Sequence, residues 1–240
     1  MKLTVVGCSP AWPNPGGAQS GYLVEGPGRL LLDCGPGVLA RLREQEGWPR
    51  IDAIAITHFH LDHWGDLVPW VWGTMFRFGD DGPRPALWVP PGGRARLAEF
   101  GARLGTETMF ERTFELAEYA EGEPFRAAGL EVTPVRLPHY TLETYGLRVS
   151  NGERTLAYSG DSGPSERLAE LARGADLFVC EATLETPEAD GELRGHLAPA
   201  ETIAAFEASG AKRLLVTHRP RELALDGDLE LAHDGLEVEI

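Results

Sequence analysis

The stretch Thr57-His58-Phe59-His60-Leu61-Asp62-His63 places three imidazoles and a carboxylate within the six consecutive residues from His58 to His63. Packing gives no reason for such density. Imidazole nitrogens and a carboxylate oxygen are the ligands zinc takes, and neutral imidazole also suits iron or nickel. The H-x-H-x-D-H string is therefore a metal-site signal. Just before it, Ile51-Asp52-Ala53-Ile54-Ala55-Ile56 is a short β-branched apolar run of the kind a buried strand shows, so His58 falls where a strand gives way to a loop. His60, Asp62 and His63 are expected in a tight turn leading into Gly65-Asp66-Leu67. A lone His near a strand end is usually a satisfied polar residue. Here three of the seven histidines fall in one hexapeptide, which sets this stretch apart.

Three further residues share that placement. His139, Asp161 and His218 each lie just past an expected strand, at Gly129 to Leu137, Thr155 to Ser159 and Arg213 to Thr217. Loops at one edge of a sheet-based fold converge, so residues far apart in sequence can meet there while the strands hold them rigid. Taken singly, Asp161 in Gly-Asp-Ser-Gly could be a turn residue and His218 before Arg-Pro a surface one. Taken with the hexapeptide, all three are candidate ligands.

The rest of the chain reads as alternating strands and helices. Strands are expected at Lys2 to Gly7, Ser20 to Glu25, Arg29 to Asp33, Ala86 to Pro90, Phe114 to Tyr119, Glu143 to Val149 and Asp176 to Cys180. Gly26-Pro27-Gly28 and Asn151-Gly152 are hairpin turns. Helices are expected from Val38 to before Gly47, from Arg94 to Leu104, through Leu168 and Leu171 behind a Ser162 or Ser165 cap, and from Pro199 to Ala208. The second half repeats the grammar of the first, which suggests two sheets packed face to face with helices outside. At 240 residues this fits one larger α/β domain without a linker. Residues 64–78 carry three Trp, two Phe and a Met, which reads as core or subunit interface, or else as a lid over the metals.

Charge and cysteine usage exclude several classes. Acidic residues outnumber basic ones 37 to 22, and a formal charge of −15 argues against extended nucleic-acid binding. No apolar run is long enough to span a membrane, and the amino terminus reads as a strand rather than a signal peptide, so a cytosolic (cytoplasmic) protein is expected. Cys8, Cys34 and Cys180 lack C-x-x-C spacing and read as small core residues, not a disulfide framework or a thiolate metal knot.

In order and spacing, the motifs Thr57 to His63, Pro138-His139, Ser159-Gly160-Asp161-Ser162-Gly163 and Val216-Thr217-His218 resemble the metallo-β-lactamase superfamily across essentially the whole chain. The resemblance implies a four-layer αβ/βα sandwich of two mixed β-sheets. It also implies two divalent metal ions, one held by His58, His60 and His139 and the other by Asp62, His63 and His218, with Asp161 bridging. His60 stands where the di-iron flavoprotein branch typically carries Glu, which favours Zn2+, with Mn2+ or Fe as the alternatives. Cys180-Glu181-Ala182-Thr183 followed by Gly195-His196-Leu197 resembles the ribonuclease Z and small phosphodiesterase branch, where a Glu-His pair serves in proton transfer. That branch typically begins the tetrapeptide with His, where this chain has Cys180. The long basic arm with which ribonuclease Z grips tRNA is also missing, since only 21 residues separate His139 from Asp161.

The reading that follows is a dinuclear zinc phosphodiesterase that uses metal-bound hydroxide, with Asp62, His196 and Glu181 as catalytic residues and weak activity on tRNA precursors. Two Zn2+ with Asp62, Asp161 and a hydroxide leave about one positive charge, which suits a small anionic ester. Arg136, Arg148 and Arg219 are candidate phosphate contacts. His196 could instead be a loop anchor before the Pro199 helix. A hydrolase of another ester class (lactone, thioester or sulfate ester) and a non-catalytic metal-binding protein are the alternatives. The ring-rich residues 64–78 and the resemblance both suggest a homodimer.

Overall fold

The computed structural model describes residues 1–45, 47–225 and 228–240, without the side chains of Gln45 and Asp80. The first half runs β1 (Lys2–Gly7), β2 (Gly21–Glu25), β3 (Arg29–Leu32), α1 (Val38–Gln45), β4 (Ala53–Ala55), α2 (Leu61–Trp64), α3 (Leu67–Phe78), β5 (Ala86–Val89), α4 (Gly93–Arg103), α5 (Met109–Thr113) and β6 (Glu115–Glu118). The second runs β7 (Phe125–Ala127), β8 (Leu130–His139), β9 (Leu142–Ser150), β10 (Thr155–Tyr158), α6 (Glu166–Leu171), β11 (Leu177–Glu181), α7 (Pro199–Ser209), β12 (Leu214–Thr217), β13 (Glu230–Leu231) and β14 (Glu237–Glu239).

These strands form two seven-stranded mixed sheets, in the orders β14-β1-β2-β3-β4-β5-β6 and β13-β12-β11-β10-β9-β8-β7. The two halves do repeat one grammar. In each sheet a run of antiparallel neighbours, β14 to β3 or β7 to β10, continues into parallel ones, β3 to β6 or β10 to β13. The C-terminal β14 breaks the division by halves, since it pairs with β1 rather than with its sequence neighbours.

Strand alternation builds the layers. Leu30 and Leu32 of β3 face the core between the sheets while Leu31 faces the helices, and on β11 Leu177 and Val179 face inward while Phe178 and Cys180 face outward. One apolar cluster therefore fills the space between the sheets, a second lies under α1, α3, α4 and α5, and a third under α6. This is the expected αβ/βα sandwich. The three cysteines are buried and free, one in each cluster.

Some local expectations shift. Residues 64–78 are mostly the helix α3: Leu67, Trp70 and Val71 pack into the core while Phe76 stands 85% exposed, so this stretch is no loop over the site. Ser165 rather than Ser162 caps α6, accepting from the backbone N–H of Arg167. The strand before the H-x-H-x-D-H string shortens to Ala53–Ala55. No helix among the described residues is long and apolar enough to cross a membrane.

Leu147 on β9 is fully buried in the core between the sheets. Leu147→Ala should cost about 2 to 5 kcal/mol of stability, read by urea unfolding, because the rigid sheets on either side cannot collapse into the space.

Candidate metal centre

Parallel strands place their carboxyl ends together, and in this sandwich both sheets present those ends at one edge. Thr57 and His58 follow β4, and Asp33 follows β3. In the other sheet His139 ends β8, Asp161 follows β10, Glu181 ends β11 and His218 follows β12. The H-x-H-x-D-H string does not make the expected tight turn; its second half is the short helix α2, which turns Asp62 and His63 inward and leaves Leu61 outside. Backbone contacts seat this segment on the turn after β3. Cys34 N–H donates to the His63 carbonyl at 2.7 Å and Ser20 N–H to the Asp62 carbonyl at 3.2 Å. A side chain at Gly35 would begin 1.9 Å from the Asp62 carbonyl oxygen, so only glycine permits that approach.

The structure brings every expected ligand together. Donor atoms of His58, His60, His139 and Asp161 lie within 4.8 Å of one another, as do those of Asp62, His63, Asp161 and His218. Asp161 belongs to both groups and offers one oxygen to each. Its Oδ2 is 3.8 Å from His58 Nε2 and 3.9 Å from His139 Nε2, while its Oδ1 is 3.1 Å from His63 Nε2 and 3.4 Å from His218 Nδ1. His58 Nε2, His63 Nε2 and Asp161 Oδ1 are buried without a hydrogen-bond partner. Such orphaned groups cost about 1–3 kcal/mol each, and cations at their shared foci would satisfy them. By this test the His/Asp cluster fits a metal site.

Electrostatics agree with that fit. Burial, helped by His63, pushes His58 well below the ordinary imidazole range, and burial also lowers His60 and His139. Neutral imidazole is the form a metal requires. His63 goes the other way: burial would lower it, but the carboxylates of Asp161, Asp33 and Asp62 outweigh burial and raise it well above the usual range. Asp62 and Asp161 are held well below the carboxylate range, burial opposing and neighbouring histidines, His63 for Asp62 and His218 for Asp161, prevailing. The cluster thus calls for positive charge, which a divalent ion supplies as well as a proton.

A ring of hydrogen bonds orients the imidazoles. Asp33 accepts from His63 Nδ1 at 2.7 Å and the Tyr158 hydroxyl at 2.8 Å with one oxygen, and from the Thr57 N–H at 2.8 Å with the other. Thr57 Oγ1 lies 3.1 Å from His58 Nδ1, His139 Nδ1 donates to the Gly195 carbonyl at 2.6 Å, and Thr183 Oγ1 is 3.0 Å from His218 Nδ1. Asp33, Tyr140 and His218 are three of the four described non-glycine residues with positive φ, a strain that collects at functional sites.

Glu181 and His196 also meet. Glu181 Oε1 accepts from His196 Nδ1 at 2.9 Å and from Ser162 N–H at 2.8 Å, and Oε2 from the Thr183 hydroxyl at 2.7 Å. Burial would lower His196, yet the Glu181 carboxylate overrides it and raises the imidazole to about 9. Although Glu181, His196 and His218 form a third group of close donors, Glu181 is already taken up by these bonds and serves as an orienting group. Asp190 holds the loop, accepting from the N–H groups of Gly195 and His196 at 2.6 and 3.0 Å and from the Tyr140 hydroxyl at 2.6 Å. Asp33, Asp190 and Trp12 are candidate-site residues that motif reading misses, and Thr183 stands in the Cys180-Glu181-Ala182-Thr183 motif without a role assigned to it. Asp33 carried a signal, since it follows a strand as Asp161 does.

A cavity of about 610 Å3 opens over the cluster, lined by Ala11, Trp12, Phe59, His60, Leu61, Asp62, Tyr140, Asp161, Thr183, Leu184 and His196. No Lys or Arg is among the described residues that line it. The three arginines expected to contact phosphate lie elsewhere: Arg136 pairs with Glu143 at 3.6 Å, Arg148 donates to the Leu171 carbonyl at 2.8 Å, and Arg219 donates to the Pro220 and Leu223 carbonyls at 3.1 and 2.5 Å.

Residues 28–219 match the family described as the beta-lactamase superfamily domain, and the chain belongs to that superfamily. It is 33% identical over 226 residues to an uncharacterised protein of Mycobacterium tuberculosis, covering 92% of this chain and 81% of that one. It is 30% identical over 195 residues to a ribonuclease Z of Mycobacterium bovis, covering 75% of this chain and 69% of the relative. The probable metallo-hydrolase YhfI of Bacillus subtilis is 29% identical over 229 residues, covering 92% and 87%. The crystal structure of YhfI superposes with a TM-score of 0.84 at 24% identity over 99% of both chains. The chain is thus a metallo-hydrolase of this superfamily, related to ribonuclease Z.

Asp33→Asn keeps the shape of the side chain and removes the charge that faces His63. Metal retention in chelator competition should fall about 10- to 100-fold, as for other partners of ligating histidines, with native circular dichroism. Unchanged retention would separate Asp33 from the centre.

Proposed function

We propose that the chain is a dinuclear metal-dependent phosphodiesterase, with zinc as its metal and a small, singly charged diester as its substrate. The observation that carries this reading is the Asp161 carboxylate, whose two oxygens face two separate groups of histidines. In this reading His58, His60 and His139 would hold one ion and Asp62, His63 and His218 the other, with Asp161 shared between the two groups. Two such ions, when bound, stabilise charge on a transferring phosphoryl group and acidify a water for attack. The ribonuclease Z relative supports a phosphodiester over other esters. The cavity lining supports a small substrate with an uncharged, flat or apolar substituent, because Trp12, Phe59, Leu61, Tyr140 and Leu184 offer apolar surface and none of the described lining residues is Lys or Arg.

His196 then protonates the leaving alkoxide. Its Nδ1 is committed to Glu181 at 2.9 Å, which leaves Nε2 as its other proton-bearing atom, and its side chain lines the cavity. Precursor tRNA is not the proposed substrate. The interval between His139 and Asp161 is filled by β9 and β10 rather than an arm, and the formal charge of −15 opposes a polyanion.

Protein purified without chelator should contain two metal ions per chain by elemental analysis. One or none after reconstitution would remove the bridging role of Asp161.

His196→Ala with full metal content should lose about 10² to 10⁴ in rate on a phosphodiester with an alkyl leaving group and little on a nitrophenyl ester, because a good leaving group needs no proton. Equal defects on both would make His196 a loop anchor. A lactone and a sulfate ester in the same panel decide between this reading and another ester class.

A further inference from the structure

Behind the loop that carries Trp12 lies a second cavity of about 340 Å3, separate from the metal centre, whose lining includes Arg41, Arg219, Arg221, His233 and Asp234. In a chain of net charge −15 it gathers three arginines, and Asp234 is the one acidic residue among the described lining. That carboxylate is already engaged: it accepts from Ala18 N–H at 2.8 Å and pairs with Arg41 at 3.4 Å. Arg41 also donates to the Gly16 carbonyl.

The other two arginines retain unused donors. Arg219 spends Nη1 on two carbonyls, while its buried Nε has no hydrogen-bond partner. Arg221 is exposed, and its backbone N–H donates to Asn14 Oδ1 at 2.8 Å while Asn14 Nδ2 donates to the Arg219 carbonyl at 3.2 Å. Asn14 thus clips residues 9–17 to residues 219–221 beside the guanidinium groups. Planar guanidinium forks with free N–H groups match the geometry of a tetrahedral oxyanion.

We infer that this cavity binds a small, multiply charged oxyanion, a phosphate or sulfate group, which joins residues 14–17 to Arg219 and Arg221 and braces the Trp12 wall of the metal cavity. Arg41 neutralises Asp234, so the anion meets the charge of Arg219 and Arg221 unopposed. The volume admits a phosphate group with its waters.

The test is titration of the metal-loaded protein with sulfate and with inorganic phosphate, against chloride at matched ionic strength, followed by backbone amide NMR. Saturable shifts at the amides of Asn14, Gly16, Gly17, Arg219 and Arg221 are expected with both oxyanions. Arg221→Ala should weaken that binding about tenfold or more, while phosphodiesterase activity without added oxyanion stays that of the wild type. A free phosphate ligand predicts tighter binding of phosphate than of sulfate in the wild type alone. Shifts confined to the surroundings of His58 and Asp161, equal affinity in wild type and Arg221→Ala, or an equal response to chloride would each overturn the assignment.

Discussion

The buried carboxylate of Asp161 sits among imidazoles contributed by both sheets, and the arrangement of the open edge depends on it. It is fully desolvated, and burial acts to protonate it, yet His218 and His63 keep it well below the carboxylate range. A charge in that position is tolerable only when surrounded by positive partners. Its two oxygens point at different histidine groups, so neither sheet can slide relative to the other without breaking one set of contacts. Three separate apolar clusters hold the layers around it rigidly enough for that geometry to persist.

Two other buried carboxylates support this one, and they occupy related places. Asp33 follows β3 in one sheet and Glu181 ends β11 in the other. Each accepts several hydrogen bonds and orients an imidazole, His63 for Asp33 and His196 for Glu181. The consequences differ because the surroundings differ. His63 is fully buried and faces the cluster, whereas His196 lines the cavity with its Nδ1 on Glu181. On the proposed function, one construction therefore yields a fixed ligand in one half of the molecule and a proton donor in the other.

The division of charge at the surface follows a similar logic. The cavity over the cluster has aromatic and aliphatic walls and no Lys or Arg among its described lining, while arginines concentrate on the far side of residues 9–17. On the proposed function, positive charge for an anionic ester then comes from His196 and from the centre itself. A substrate held mainly by flanking arginines would be bound as tightly before the reaction as during it, which would not lower the barrier.

Much of the candidate site was legible in the sequence because most of its candidate ligands are local. H-x-H-x-D-H packs four of them into one hexapeptide, and His139, Asp161 and His218 betray themselves by following apolar strands whose ends must share an edge. The layered fold was legible for the same reason, since alternation along each strand is a property of neighbouring residues. Other features were decided by tertiary structure. Asp33 follows a strand as Asp161 does, but its partners appear only when β3 and β4 pair and bring it against Thr57 and His63, and Asp190 gains meaning only when its loop folds back on Gly195 and Tyr140. Proximity in sequence misled for Arg219: it follows a candidate ligand directly, but the positive φ of His218 turns the chain so that its guanidinium meets the Pro220 and Leu223 carbonyls. Residues 64–78 show ring density that sequence reads correctly as packing, but only the helix α3 decides which rings face the core and which stand in solvent. Short-range pattern determines residue chemistry and strand ends, whereas the direction of a side chain beyond a turn depends on contacts with residues far away in the chain.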